Sequence, residues 1–142
     1  MTTSFDPSPV MSSYLVAFVI SDFEFISNAL TKGSNETLHR IYSRPNAVKL
    51  TPFALDNSEK LLQVLERYVD YKYELAKIDS AAIPQKSGAM ENWGLVLYSE
   101  NLMIYEENYN DISHTQRLGG VATIGKCTHK VLSNNNLLIN TI

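Results

Sequence analysis

One amphipathic segment in the middle of the chain places the main constraint on its fold. Between Asn57 and Tyr71 the apolar residues recur at spacings of three and four, at Leu61, Leu62, Leu65, Tyr68 and Val69. This period places them on one face of an α-helix. Asp56, followed three residues later by Glu59, predicts a capping box at the start of that helix. Because such a helix has to bury one face, the flanking segments must supply the surface that covers it.

Strand-like segments stand on both sides of this helix. They are rich in β-branched and aromatic residues, and they are Ser13–Phe23, LHRIYSRP at 38–45, LAKIDSAAIP at 75–84 and NWGLVLYSENLMIY at 92–105. Residues 44–55 read as a linker that contains prolines. A last helix is predicted from Ser113, although Gly119, Gly120 and Gly125 each cost about 1 kcal/mol there relative to alanine. The order strand, strand, helix, strand, strand, helix predicts an α+β fold.

Length and charge exclude several classes of function. The 142 residues have the size of one modest domain, and the formal net charge of −3 gives no basis for binding nucleic acid or an anionic membrane. A single cysteine, Cys127, excludes an internal disulfide. The apolar run Tyr14–Ile20 is too short to span a bilayer and lacks the basic residues of a signal peptide. We therefore predict neither in this chain, and localisation and oligomeric state stay open.

The stretch SGAMENWGLVLYSE, Ser87–Glu100, contains the most unusual grouping of residues. One interpretation is a tight turn in which Glu91 and Asn92 are solvated and Trp93 enters the core. The other is a binding site, because the small residues Gly88 and Ala89 let a ligand backbone approach closely. Glu91 would then offer a fixed carboxylate to a cation such as the amino terminus of a peptide.

The string GAMENWGL at 88–95 resembles, without a gap, the exopeptidase motif of the aminopeptidase N family of zinc metallopeptidases. The likeness extends over roughly residues 5 to 134, with Ser99 standing where the family has an arginine. Residues 1–44 resemble the C-terminal strands of the family's N-terminal β-domain. Residues 45–142 resemble the first part of its thermolysin-like catalytic domain, which would be incomplete here. The resemblance implies a zinc-dependent aminopeptidase that releases N-terminal residues from peptides.

The same resemblance implies roles for five consecutive residues. Glu91 would bind the free α-amino group of the substrate, and the backbone of the remaining residues would lie along the bound peptide. The implied substrate-binding set is Gly88, Ala89, Met90, Glu91 and Asn92. Which N-terminal residue is preferred stays open, because pocket residues outside this segment decide it.

The zinc site that the resemblance implies is degraded. The family carries a helical His-Glu-x-x-His, in which residues four apart reach one metal and the glutamate serves as general base. With His129 at the second histidine, Gly125 stands at the first and Lys126 at the glutamate. The third ligand would fall 19 residues beyond His129, past Ile142. His129 is then a lone remnant of the motif, and we predict that this chain does not bind zinc.

Other candidate groups give weaker hypotheses. Cys127 and His129 are two residues apart and so point in different directions on a helix. A nucleophilic Cys127 would need an oriented histidine, and a buried, inert thiol is the favoured interpretation even with Lys126 beside it. His39 and His114 are isolated in the sequence, and we predict that both lie on the surface.

Three interpretations of the whole chain therefore stay open. The first is a truncated or divergent piece of an aminopeptidase N-type enzyme that keeps the amine-binding motif. The second is an inactive paralogue or fragment that serves as a peptide-binding or interaction module. The third is that the sequence after Ile124, where the likeness fades, is foreign to an otherwise ordinary aminopeptidase beginning.

Overall fold

The computed structural model describes residues 4, 7–28, 37–105 and 112–139, with side chains described for 116–133 of the last range. The strands are β1 (Glu24–Ser27), β2 (Leu38–Ser43), β3 (Lys77–Ile83), β4 (Ala89–Asn92) and β5 (Leu95–Ser99). The helices are α1 (Pro52–Val69) and α2 (Ile112–Ile139). Short 3₁₀ helices cover Ser13–Leu15, Val48–Leu50 and Glu100–Leu102. Strands and helices combine in an α+β arrangement, as predicted.

The strands form one mixed sheet in the order β1-β2-β3-β5-β4. The outer pairs, β1 with β2 and β4 with β5, are antiparallel, whereas β2, β3 and β5 run parallel to one another. A parallel neighbour requires a crossover connection, and α1 supplies it between β2 and β3. β4 is the last strand in this order and pairs only with β5, so within the described residues it forms one edge of the sheet.

The two helices pack against each other, and α2 also contacts β4. Between the helices and the sheet lies a hydrophobic core that includes Ile41, Leu62, Ile78, Val96, Tyr98, Met103, Ile124 and Leu132. Full burial of a large apolar side chain stabilises a fold by roughly 1.5–3 kcal/mol. This core holds α2 against the sheet edge at which the GAMEN residues lie.

Helix α1 is confirmed, but its start and one member of its apolar face were predicted wrongly. The helix begins at Pro52, because the fixed φ of proline suits the first helical position. Asp56 therefore lies inside the helix, where it pairs with Lys60 at 2.6 Å instead of forming a capping box. Tyr68 is 81% exposed and lies outside the core.

The strand predicted at Ser13–Phe23 is wrong. This segment contains the 3₁₀ helix Ser13–Leu15 and then backbone without regular secondary structure, and β1 begins only at Glu24. Leu15 is buried, whereas Phe18 and Ile20 are 79% and 91% exposed. High β-propensity gives a strand only where a neighbour accepts its hydrogen bonds, and none does so within the part of the chain described.

The strand predicted at 92–105 is divided in the structure. Asn92 ends β4, a turn at Trp93 and Gly94 follows, and β5 covers only Leu95–Ser99. Gly94 has φ +83°, a left-handed conformation that glycine adopts without strain. The interpretation of GAMEN as a tight turn is therefore wrong. Ala89–Asn92 form one strand of a hairpin, and the turn follows them at Trp93 and Gly94.

The predicted division into residues 1–44 and 45–142 stays a prediction. β2 and β3 lie on either side of residue 44 and pair in parallel, with Ile41 opposite Ser80. The Arg40 guanidinium forms two hydrogen bonds with the Asp79 carboxylate, at 2.6 and 2.8 Å.

Neither described helix is both long and apolar enough to cross a bilayer.

Candidate functional site

Glu91 lies on the edge strand β4 and points toward α2. It stands opposite Val96 of β5, a core residue, and Ala89 on the same face stands opposite Tyr98. The Glu91 side chain is 15% exposed, so its carboxylate is largely enclosed but keeps access to solvent. The interpretation that Glu91 is simply solvated at a turn is therefore wrong. The hairpin fixes this carboxylate at the boundary between sheet and helix.

Two residues of α2 contact the Glu91 carboxylate. The Lys130 ammonium donates to Oε1 and forms an ion pair with it, and the Cys127 thiol donates to Oε2 at 3.9 Å. The hydrogen bond with Glu91 is the main reason why the pKa of Lys130 is raised above its ordinary value. Each oxygen of the carboxylate therefore has a partner within this chain.

Cys127 and Tyr98 continue this polar cluster into the core. Burial raises the pKa of both side chains, and the interaction between them raises the pKa of Tyr98 and lowers that of Cys127. The neighbouring Glu91 charge raises the Cys127 pKa further, and Lys126 and Lys130 only partly oppose these effects. The raised pKa keeps this buried thiol protonated at neutral pH. Because the thiolate is the nucleophilic form, the inert interpretation of Cys127 agrees with the structure.

The residues before Glu91 leave room along the start of β4. Gly88 has φ +62°, and its carbonyl accepts a hydrogen bond from the Ser99 N–H at 2.7 Å. A side-chain carbon added at Gly88 would meet nothing within 4 Å. Ala89 and Met90 are half-buried members of β4. A ligand backbone can therefore approach this end of the strand without meeting a side chain from Gly88.

Asn92 occupies a different environment from the other four motif residues. It is buried, with 4% of its surface exposed, and its side-chain amide donates to the Leu15 carbonyl at 3.2 Å. A longer contact, at 3.5 Å, reaches the Tyr14 carbonyl. Asn92 thus tethers the 3₁₀ helix Ser13–Leu15 to the far end of β4, a contact that sequence spacing did not indicate.

The three positions assigned to the degraded zinc motif do not converge on Glu91. A side chain at Gly125 would face α1 and meet Leu61 at 3.6 Å. Lys126 and His129 are exposed, and the His129 Nδ1 lies 3.5 Å from the Ser133 hydroxyl. Among the described side chains, no three His, Cys, Asp or Glu residues are grouped to hold a metal ion. These positions do not fit a tetrahedral zinc site.

The remaining histidines give one correction. His39 is 3% exposed on β2, so the prediction that it lies on the surface is wrong. It alternates with Arg40 along the strand and shares the buried face with Ile41 and Ser43, which isolated sequence position could not reveal. The His114 side chain lies outside the described residues, so that prediction stays untested.

Lys130 is the site residue that the sequence interpretation missed. The signal was present in the helical period, because Lys130 follows Cys127 by three residues and the two share a helix face. With His129 at the second histidine of the zinc motif, Gly125 and Lys126 take the other positions and Lys130 is given no role. Only the packing of α2 on β4 shows that the face carrying Cys127 and Lys130 is the one that meets Glu91.

Comparison with known sequences identifies the class of protein to which this α+β fold with its GAMEN strand belongs. Residues 53–124 match the family model described as the peptidase family M1 domain. This match covers half of the chain, from the start of α1 through the first part of α2. The chain therefore belongs to peptidase family M1.

Individual relatives agree with this assignment. The chain is 38% identical over 122 residues to aminopeptidase N of Haemonchus contortus and 38% identical over 119 residues to aminopeptidase Ey of Gallus gallus. It is 40% identical over 121 residues to endoplasmic reticulum aminopeptidase 1 of Homo sapiens. These alignments cover 85%, 82% and 84% of the chain but only 12% of each relative. The chain thus corresponds to a small part of such proteins.

Proposed function

We propose that this chain is the segment of an M1-type aminopeptidase that recognises the free amino end of a peptide. The observation that carries the proposal is the Glu91 carboxylate, which is 15% exposed and held between edge strand β4 and helix α2. A carboxylate fixed in this way accepts hydrogen bonds from a protonated amine and orients it. Charge-assisted bonds of this kind are about twice as strong as neutral ones.

The edge of β4 supports the same proposal for the peptide backbone. Its outer side is not paired with another described strand, and an extended peptide can add to an open strand edge through main-chain hydrogen bonds. Gly88, Ala89 and Met90 would run beside the first residues of the peptide, and the space at Gly88 permits that approach. Asn92 would contribute by holding β4 in place.

For the whole protein, the proposal is a zinc-dependent aminopeptidase that releases N-terminal residues. The names of the relatives and the family match support it. We also propose that residues 1–44 and 45–142 belong to its β-domain and its thermolysin-like catalytic domain. Because Gly125, Lys126 and His129 do not fit a zinc site, no hydrolytic step is assigned to this chain.

The test of amine recognition compares Glu91→Gln with the unmodified chain. Titrated with trialanine amide and its N-acetylated form, the unmodified chain is expected to prefer the free amine by about tenfold or more, since the extra contact is one charge-assisted hydrogen bond. Glu91→Gln should bind the two peptides equally. NMR shift titration measures both affinities.

Glu66→Gln is the matched control for this experiment. Glu66 is also enclosed and also paired with a lysine, Lys72 at 3.1 Å, but it lies on α1. Its replacement should leave the preference for the free amine unchanged. Equal binding of both peptides by the unmodified chain and by Lys130→Met, which removes the lysine paired with Glu91, would contradict the proposed function.

A second experiment separates an enzyme from a binding module. After equilibration with zinc and dialysis, the chain is expected to retain far less than one zinc ion per molecule, because the described residues provide no ligand set. Hydrolysis of alanyl and glutamyl anilides should stay at the background rate. Stoichiometric zinc together with turnover would contradict this expectation and favour the active enzyme.

A further inference from the structure

The side chain that contacts Glu91 is chemically similar to the ligand proposed for it. Lys130 presents a primary ammonium group, as the protonated amino end of a peptide does, and it pairs with the Glu91 Oε1. The second oxygen accepts from Cys127 at 3.9 Å, which is a weak sulfur contact. Of these two partners, only Lys130 carries a charge that a peptide amine would duplicate.

We infer that Lys130 is a built-in competitor that occupies the amine-binding carboxylate of this chain and must leave before a peptide amino terminus can bind. The inference rests on the proposed function of Glu91 and adds a regulation of the same site. It assigns to Lys130 an indirect, inhibitory role, because its effect on a peptide is exerted through Glu91.

The exposures of the two side chains indicate which partner moves. Glu91 is 15% exposed and fixed within the β4–β5 hairpin, whereas the Lys130 side chain is 49% exposed on the surface of α2. Its long aliphatic stem lets the ammonium reach solvent without movement of the helix. Partly exposed ion pairs stabilise a fold only modestly, so an incoming amine can displace Lys130. Breaking the pair costs free energy, and the net affinity of the peptide is lower by that amount.

The competition distinguishes ligands with a free amine from ligands without one. Only a ligand that uses the Glu91 carboxylate loses affinity to Lys130, so an N-acetylated peptide should be insensitive to it. A purely structural role for the ion pair would instead change the stability of the fold and affect both peptides alike. The difference between the two peptides therefore reports on competition.

The experiment compares Lys130→Met with the unmodified chain in the same trialanine amide titration. Methionine keeps most of the length of the side chain and favours helix, so the fold should be retained. Lys130→Met is expected to bind the free-amine peptide roughly two- to fivefold more tightly, in line with the loss of one partly exposed ion pair. Its affinity for the N-acetylated peptide should not change.

Two further variants control for charge. Lys130→Arg keeps a cation next to Glu91 and should bind like the unmodified chain. Lys60→Met removes a helix lysine that is paired with Asp56 at 2.6 Å on the other helix, and it should also bind like the unmodified chain. A gain in affinity for Lys60→Met equal to that of Lys130→Met would overturn the inference, because net charge alone would then explain the result.

The remaining outcomes distinguish failure of this inference from failure of the proposed function. If the unmodified chain prefers the free amine through Glu91 and Lys130→Met binds it no more tightly, the competitor is refuted and the proposed function stands. If Lys130→Met shows no preference for the free amine, both are refuted. A ligand-free check is the NMR titration of the Lys130 side chain, whose pKa should fall in Glu91→Gln; an unchanged pKa would refute the ion pair itself.

Discussion

Replacement of Gly120 by alanine is expected to destabilise the fold by about 3 kcal/mol, at the upper end of the usual cost of overpacking. Gly120 is buried in α2 where the helix passes the 3₁₀ helix Glu100–Leu102. An added Cβ would overlap the Tyr105 hydroxyl and lie 2.5 Å from the Leu102 carbonyl oxygen. The hydroxyl could turn aside, but the carbonyl belongs to the backbone, so α2 itself would have to move.

The neighbouring Gly119 is the matched control for this substitution. It is exposed on the same helix, and a Cβ added there meets nothing within 4 Å. Gly119→Ala should therefore stabilise the chain by up to about 1 kcal/mol through helix propensity alone. Urea denaturation of both variants measures the difference. Equal stability of the two variants would show that α2 does not approach residues 102–105 as described.

These two glycines show why α2 was difficult to predict. Propensity counts every glycine in a helix as the same penalty, and that count weakened the prediction of a helix from Ser113. In the structure Gly120 is required for the close approach of α2 to Tyr105, whereas a Cβ at Gly119 would meet nothing within 4 Å. A residue that is unfavourable for an isolated helix is thus favourable for its packing. That information lies in tertiary contacts that a sequence alone does not contain.

The site could be predicted in part for a comparable reason. The motif GAMENWGL identified Glu91, because an uninterrupted run of uncommon residues points to a specific family. Local patterns also predicted β2, β3 and α1. The contacts of Lys130 and Cys127 with Glu91 depend on how α2 rotates against β4, and the burial of His39 depends on the face that β2 presents to the helices. Those orientations arise only when the elements pack together.

Replacement of Asp79 by asparagine is expected to cost about 2–3 kcal/mol, because it breaks an ion-pair cluster around an enclosed carboxylate. The Asp79 side chain is 8% exposed and accepts hydrogen bonds from Arg40 at 2.6 and 2.8 Å and from Lys77 at 2.6 Å. Without the carboxylate, two cations are left facing each other. Breaking a fully buried pair costs roughly 3–5 kcal/mol, and the exposure of Arg40 (26%) and Lys77 (42%) reduces that cost here.

The same cluster connects three strands, so the effect of Asp79→Asn should be a loss of cooperative stability rather than of one local contact. Arg40 lies over the rings of Phe25 and Tyr42, on β1 and β2, while Asp79 lies on β3.

Asp56→Asn is the matched control, because it removes the same charge from an exposed pair. The side chains of that pair, Lys60 and Asp56, are 67% and 61% exposed. That variant should cost less than about 0.5 kcal/mol, because exposed helix pairs contribute little. Denaturation monitored by Trp93 fluorescence compares the two, and equal losses would mean that solvent reaches Asp79 as freely as it reaches Asp56.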